Sequence, residues 1–168
     1  GIGEESAKEL NKMGAEIIFV ARNEEKGNRL KQELQNDSGR AATMIIADLS
    51  SQAEVKKAAN EFLALNKPLD ILLNNAGIMN RERNETVDGF EEVFSVNHLA
   101  YYTFSILLAE KLKQTKDSRV INVASGAHQF VKDMNFEDLQ SEETFKPMQV
   151  YGQSKLANIL FTKSLAKK

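Results

Sequence analysis

The chain lacks cysteine and tryptophan, and it has only two prolines and two histidines among its 168 residues. Without cysteine it forms no disulfide and offers neither a thiol nucleophile nor a cysteine-ligated metal site. The histidines, His98 and His128, lie far apart in the sequence and make no metal-binding motif, so we predict no metal site. No stretch approaches the roughly 20 apolar residues that a membrane-spanning helix requires.

A large excess of charge is also missing. The formal net charge of -2 and the pI near 5.8 give no electrostatic reason to expect a nucleic-acid partner. With 42% hydrophobic and 27% charged residues, the composition is that of a soluble protein, and we predict one domain over residues 1–168. The chain starts at Gly1 without methionine and ends just after an apolar helical pattern. We therefore expect a fragment truncated at both ends, cytoplasmic unless a preceding segment anchors it in a membrane.

Helical patterns and short apolar runs alternate along the whole chain. Helices are predicted over residues 4–13, 24–35, from Ser50 or Ser51 to Pro68, 89–113 and 150–167. Strands are predicted over residues 16–21, 42–47, 70–73 and 119–123, and residues 127–147 are expected to be irregular with one helical turn near 136–139. Such alternation predicts a doubly wound parallel α/β sheet, in which ligands bind beyond the carboxyl ends of the strands.

Tyr151 and Lys155 lie four residues apart in a predicted helix and therefore share one face, with Ser125 upstream. A nearby lysine cation lowers the pKa of a phenol, which is otherwise about 10. A serine hydroxyl can hold a substrate oxygen while the tyrosine gives or takes a proton. The set indicates acid–base chemistry on a carbonyl or alcohol. Taken alone, the spacing equally fits a buried tyrosine beside a solvated lysine.

Several residues near strand ends suggest a nucleotide site. Gly1-Ile2-Gly3 precedes a helix, whose N-terminus can bind a diphosphate. Arg22 follows the strand over 16–21, where an arginine suits the 2′-phosphate of NADP and an acid would suit NAD. Asp48 either accepts a hydrogen bond from an adenine amino group or caps the following helix. The string Asn74-Asn75-Ala76-Gly77 lets a planar ring lie against backbone, unless it is a simple turn.

Together these residues resemble the classical short-chain dehydrogenase/reductase family, and more narrowly its retinol dehydrogenase-like branch, which includes WW-domain oxidoreductases. The matching strings are Gly1-Ile2-Gly3, Asp48-Leu49, Asn74-Asn75-Ala76-Gly77, Val96-Asn97, Ser125 and Tyr151-x-x-x-Lys155. Two departures stand out: the glycine motif lacks its first half, and Ala124-Ser125 replaces the usual serine pair.

The resemblance implies a Rossmann-type, three-layer αβα fold and four catalytic residues. By this resemblance Tyr151 is the general acid or base, Lys155 lowers its pKa, Ser125 polarises the substrate oxygen and Asn97 binds a relay water. The implied cofactor contacts are Gly1, Ile2, Gly3, Arg22, Asp48, Leu49, Asn75, Ala76, Gly77, Tyr151 and Lys155.

The expected function is hydride transfer between NADP(H), with NAD(H) less favoured, and a lipophilic aldehyde, ketone or retinoid-like alcohol. The resemblance also suggests association of copies through the helices over 89–113 and 150–167. Three alternatives stay open: a nucleotide-binding scaffold or redox sensor without turnover, a sugar-nucleotide epimerase, and a plain interaction domain.

Overall fold

The computed structural model describes residues 1–167, so Lys168, the last residue of the predicted domain, lies outside the described residues. The helices are α1 (Ile2–Lys12), α2 (Glu24–Ser38), α3 (Gln52–Ala64), α4 (Glu92–Phe94), α5 (Ala100–Leu107), α6 (Ala109–Gln114) and α7 (Pro147–Leu165). A π-helical turn spans Ser95–Leu99 and a 3₁₀ helix spans Gly126–Phe130. The strands are β1 (Ile18–Ala21), β2 (Thr43–Ile46), β3 (Ile71–Asn74) and β4 (Arg119–Asn122).

The four strands form two parallel pairs, β1 with β2 and β3 with β4. The register places Val20 beside Ile45 and Asn74 beside Asn122. The second pair therefore ends in two asparagines at its carboxyl end, whereas the first pair ends in Ala21 beside Ile46. The predicted alternation of helices and parallel strands is confirmed, as a Rossmann-type α/β fold.

Helices cover the first strand pair on both faces. One buried cluster joins Ile45 on β2 with Phe62 on α3 and Leu108 beside α6, and Leu72 and Val120 of the second pair pack on the same cluster. A second cluster lies on the other face of β1 and β2 and joins α1 with α2; its members are Ile17, Leu34 and Ala42, with Ala7, Leu10, Ala15, Phe19 and Leu30 packed against them. These two clusters give the three-layer arrangement expected from apolar strands between amphipathic helices.

The prediction of a single helix over residues 89–113 is wrong. Gly89 has a φ of +80° and belongs to a turn, and the helical segment begins only after Glu91. The Glu91 carboxylate accepts hydrogen bonds from the backbone N–H groups of Val93 at 2.9 Å and Phe94 at 2.6 Å, which fixes the start. The segment then widens into the π-helical turn and breaks again at Leu108.

Other predicted boundaries also move. Helix α2 runs to Ser38 because Gly39, with a φ of +72°, caps it in the left-handed conformation. Helix α7 begins at Pro147, a residue whose fixed φ suits the first turn. Near 136–139, where one helical turn was predicted, the chain forms a hydrogen-bonded turn over residues 137–140 that is not a helix. The 3₁₀ helix at 126–130 was not predicted.

Candidate active site

The predicted site residues follow the carboxyl ends of the strands, where parallel α/β sheets place their ligands. In chain order these are Arg22 after β1, Asp48 and Leu49 after β2, Asn75, Ala76 and Gly77 after β3, and Ser125 after β4. Helix α7 carries Tyr151 and Lys155, and the π-helical turn carries Asn97.

Lys155 is buried, with only 2% of its surface exposed. Its Nζ donates to the Val123 carbonyl oxygen at 3.2 Å, and the ring centroids of Tyr151 and Tyr101 lie 5.5 Å and 5.7 Å from it. No carboxylate among residues 1–167 forms an ion pair with it. Burial lowers the pKa of this ammonium, and the two aromatic faces and the carbonyl oxygen favour its charged form.

Helix α7 lies against the 3₁₀ helix that Ser125 begins. Gly152, beside Tyr151, comes so close that a Cβ there would lie 2.7 Å from the Ala127 carbonyl oxygen. The Ser125 Oγ accepts a hydrogen bond from the Ala127 N–H at 3.2 Å. Because that bond uses a lone pair, the Ser125 O–H stays available to donate to a ligand.

Asn97 is fully buried, and its side-chain amide is held on several sides. The Oδ1 accepts from the Ile78 N–H at 2.8 Å, while the Nδ2 donates to the Ile78 carbonyl at 3.0 Å and to the Ser154 Oγ at 3.0 Å. The Asn158 Nδ2 donates to the Asn97 carbonyl oxygen at 2.8 Å, and the Asn158 Oδ1 lies 2.9 Å from the His98 Nδ1. The π-helical turn is thereby fixed to α7.

The loop after β3 lies directly against this group. The Asn74 Nδ2 donates to the Asn122 Oδ1 at 2.8 Å and to the Ser105 Oγ at 3.2 Å, which ties β3 to β4 and α5. A Cβ at Gly77 would lie 3.3 Å from both the Lys155 Nζ and the Asn97 Oδ1. A Cβ at this position would crowd both side chains, and the glycine keeps the space beside the ammonium open.

The nucleotide-side candidates are less enclosed. A Cβ at Gly3 would lie 2.5 Å from the Asn75 Nδ2, so the start of α1 and the loop after β3 are in close contact. Arg22 and Asp48 approach each other, with the Arg22 Nη1 3.9 Å from the Asp48 Oδ2. The Asp48 Oδ1 also accepts from the Ser50 N–H at 2.9 Å and the Ser50 Oγ at 2.8 Å, so Asp48 shapes the turn before α3. The cap of α3 itself is Ser51.

Sequence reasoning did not assign roles to the residues that hold this group in place. They are Tyr101, Ser105, Ser154, Asn158 and Thr162. Asn97, Tyr101 and Ser105 recur every four residues, and so do Ser154, Asn158 and Thr162. Two polar stripes at helical spacing, on helices otherwise rich in apolar residues, were the available signal.

Comparison with known proteins agrees with this arrangement. The short chain dehydrogenase family model matches residues 1–168. Retinol dehydrogenase 12 from Mus musculus is 41% identical over 169 aligned residues, which cover 100% of this chain and 53% of that protein. The chain spans about half the length of the curated relatives that it matches.

Solved structures show the same fold. An uncharacterised protein from Mycobacterium Paratuberculosis superposes with a TM-score of 0.84 and 33% identity, over 97% of this chain and 56% of that one. A metagenomic short-chain oxidoreductase in complex with NADP gives a TM-score of 0.79 and 25% identity, over 99% of this chain and 70% of that one.

The chain therefore belongs to the short-chain dehydrogenase family, a family of oxidoreductases, and the predicted likeness to its retinol dehydrogenase-like branch is confirmed. Across residues 1–167, no helix is both long enough and apolar enough to cross a membrane.

Proposed function

We propose that the complete protein transfers a hydride between NADP(H) and a carbonyl or alcohol group of a lipophilic substrate. The observation that carries this proposal is the buried Lys155 ammonium, held 5.5 Å from the ring of Tyr151 without a competing carboxylate among the described residues. The ammonium places a positive charge beside the Tyr151 ring, where the phenol can serve as the proton donor and acceptor.

The residues present fit a nicotinamide dinucleotide. The contacts of Gly3 with Asn75, and of Gly77 with Lys155, leave backbone exposed at two points where a Cβ would intrude. The N–H groups at the start of α1 suit a diphosphate, and Arg22 suits a 2′-phosphate. We assign Gly1, Ile2, Asp48, Leu49 and Ala76 to the same site. A bound nicotinamide ring would supply or accept the hydride.

The side chains of this chain supply the proton and the orientation. Tyr151 gives its hydroxyl proton to a carbonyl oxygen during reduction, or takes the proton from an alcohol during oxidation. Lys155 keeps N–H donors beyond the one bonded to Val123, and these suit ribose hydroxyls. Ser125 donates to the substrate oxygen. Asn97 fixes the π-helical turn against the loop after β3. We propose that Asn97 also binds a water molecule that relays the proton.

An apolar substrate is supported by the segment between Ser125 and Tyr151. Phe130, Phe136 and Met148 leave 62%, 74% and 47% of their surfaces exposed, which is unusual for side chains of this size. Relatives named as retinol dehydrogenases point in the same direction. We therefore place aldehydes, ketones and alcohols with long hydrocarbon parts first among the substrates to be tested.

The test is NADPH consumption by the complete protein with a panel of aldehydes and ketones. Tyr151→Phe removes only the hydroxyl, so we expect turnover to fall by at least about a hundredfold, the scale of a lost general acid. Tyr102→Phe removes a hydroxyl from a tyrosine that is 47% exposed and has no proposed part in catalysis, so it should leave turnover unchanged. Equal turnover in wild type and Tyr151→Phe would contradict the mechanism.

The alternative hypothesis, a nucleotide-binding scaffold or sensor without turnover, predicts a different result in the same experiment. A protein of that kind binds NADPH tightly but consumes none with any substrate of the panel, in the wild type as well as the variant. The position of the buried Lys155 ammonium beside the Tyr151 ring favours turnover over this alternative.

We also propose that copies of the protein associate through α5 and α7. Tyr102, Ile106 and Leu160 leave 46–47% of their surfaces exposed. The rings of Tyr102 and Phe161 lie 5.5 Å apart, which joins the exposed sides of the two helices into one apolar surface. Such a continuous surface favours burial against a second copy.

A further inference from the structure

Lys155 is flanked by two tyrosines, and only one of them has a role in the proposed proton transfer. The Tyr101 ring centroid lies 5.7 Å from the Lys155 Nζ, nearly as close as the 5.5 Å of Tyr151. The cation is thus placed between aromatic faces from two helices, α5 and α7. An aromatic face attracts a cation most strongly where water is excluded, as it is here.

Tyr101 is itself fixed in place. Only 2% of its surface is exposed, and its hydroxyl donates to the Ala76 carbonyl oxygen at 2.7 Å. Burial raises the pKa of this phenol, and the nearby Tyr151 raises it further, so the hydroxyl remains a neutral donor at physiological pH. One side chain therefore contacts both the ammonium and the loop that lines the nucleotide side.

We propose that Tyr101 is a positioning residue for the reaction: its ring keeps the Lys155 ammonium charged beside Tyr151, and its hydroxyl holds the Ala76 backbone next to that ammonium. The proposal rests on the proposed function where it assumes that Lys155 assists proton transfer by Tyr151. The part that concerns the Lys155 charge stands on the geometry alone.

The other groups that face Lys155 are neutral. The strand β4 side presents the Val123 carbonyl oxygen, the loop after β3 presents Gly77, and the π-helical turn presents the Asn97 amide. His98, the next residue of that turn, is paired with Asn158, and burial lowers its pKa. Tyr101 and Tyr151 are thus the titratable neighbours, and no ion pair within residues 1–167 includes Lys155.

The experiment compares Tyr101→Phe with Tyr101→Leu in the complete protein. The first variant keeps the ring and removes the hydroxyl, while the second removes both. The ¹³Cε resonance of Lys155, assigned with Lys155→Met, reports the protonation of its amine during a pH titration without any turnover. We expect Tyr101→Leu to lower the Lys155 pKa by about one unit, tenfold in the protonation equilibrium. Tyr101→Phe should keep the wild-type value.

Turnover gives a second readout. The alkaline limb of the kcat/KM profile should move to lower pH in Tyr101→Leu, in step with the resonance, and stay in place in Tyr101→Phe. Loss of the bond to Ala76 should raise the KM for NADPH several-fold in both variants. Val87→Ala, a change at a residue that is 88% exposed and has no proposed role, should alter neither the Lys155 titration nor the limb.

Two results would overturn the inference: an unchanged Lys155 titration in Tyr101→Leu, or the same shift in Tyr101→Phe. If Tyr101→Leu fails to fold, Tyr101→Met replaces it, because methionine fills the site with an unbranched side chain and no aromatic face. A wild type without turnover would contradict the proposed function but leave the resonance titration to decide the role of the Tyr101 ring.

Discussion

Arg22 and Asp48 meet at the carboxyl ends of β1 and β2, both in contact with solvent. Their closest atoms are 3.9 Å apart, and the Arg22 side chain is 69% exposed. An exposed pair at this distance contributes little stability, at most about 1 kcal/mol. The guanidinium can therefore turn from the aspartate to a phosphate at small cost, which suits the role proposed for Arg22 in selecting between NADPH and NADH.

This arrangement leads to a prediction about cofactor preference. Arg22→Ala removes charge-assisted hydrogen bonds to a 2′-phosphate and should weaken NADPH binding by about 1.5–3 kcal/mol, roughly 10- to 150-fold. NADH lacks that phosphate, so its dissociation constant should change by less than about twofold. Fluorescence titration of the complete protein with each nucleotide measures both.

Arg119→Ala is the matched control for that prediction, because Arg119 is exposed at the opposite end of a strand, where β4 begins. It should leave both dissociation constants at the wild-type values. Equal weakening of NADPH and NADH binding by Arg22→Ala would contradict a 2′-phosphate role.

Sequence reasoning placed the candidate site residues at the ends of the strands, but it did not find the residues that hold them in place. Parallel topology places Arg22, Asp48 and the loop after β3 at one edge, so their position followed from the order of helices and strands. The partners of Lys155 did not. A tyrosine such as Tyr101 on a mostly apolar helix indicates only burial, and its contacts with Lys155 and Ala76 depend on how α5 and α7 cross.

At the scale of elements, the backbone of α7 closely approaches the backbone of the 3₁₀ helix. Gly152→Ala would place a Cβ 2.7 Å from the Ala127 carbonyl oxygen, and backbone cannot rotate aside as a side chain can. Overpacking of this kind costs about 1–3 kcal/mol, against a gain of about 1 kcal/mol from the better helix propensity of alanine. We expect the free energy of unfolding, measured in urea, to fall by up to about 2 kcal/mol.

Gly126→Ala is the control, since a Cβ at Gly126 meets no atom within 4 Å. Its free energy of unfolding should stay within about 0.5 kcal/mol of the wild type. If the Gly152→Ala protein proved as stable as the Gly126→Ala protein, overpacking against the Ala127 carbonyl oxygen would be ruled out.

The strands were predicted well because each is a short apolar run between polar segments, a pattern that is local. The helix predicted over 89–113 differs from the structure for one local and one distant reason. Its late start is local, because the Glu91 carboxylate caps the backbone of Val93 and Phe94. The π-helical turn at Asn97 is fastened by Ser154 and Asn158, about sixty residues further along, so residues 95–113 taken alone do not distinguish it from a regular helix.

At the scale of the whole molecule, a charge within the exposed apolar surface of α5 and α7 should weaken the proposed association of copies. Ile106→Glu places a charge in that surface, so we expect the complete protein to shift from a dimer or larger assembly towards a monomer in analytical ultracentrifugation. Val87→Glu, at a residue that is 88% exposed and lies outside both helices, should keep the wild-type assembly. Identical sedimentation of the two variants would argue against this surface.

The shared core has a consequence for how the molecule opens. No backbone ladder joins β1 and β2 to β3 and β4 among residues 1–167, yet Val20, Leu72 and Val120 rest on the same buried cluster of α3 and α6 residues. Within residues 1–167 the two pairs share this cluster of side chains. Their amide protons should exchange with solvent as one cooperative unit, and a fluctuation that loosens the nucleotide edge at β1 should also reach Asn74 and the proton-transfer site.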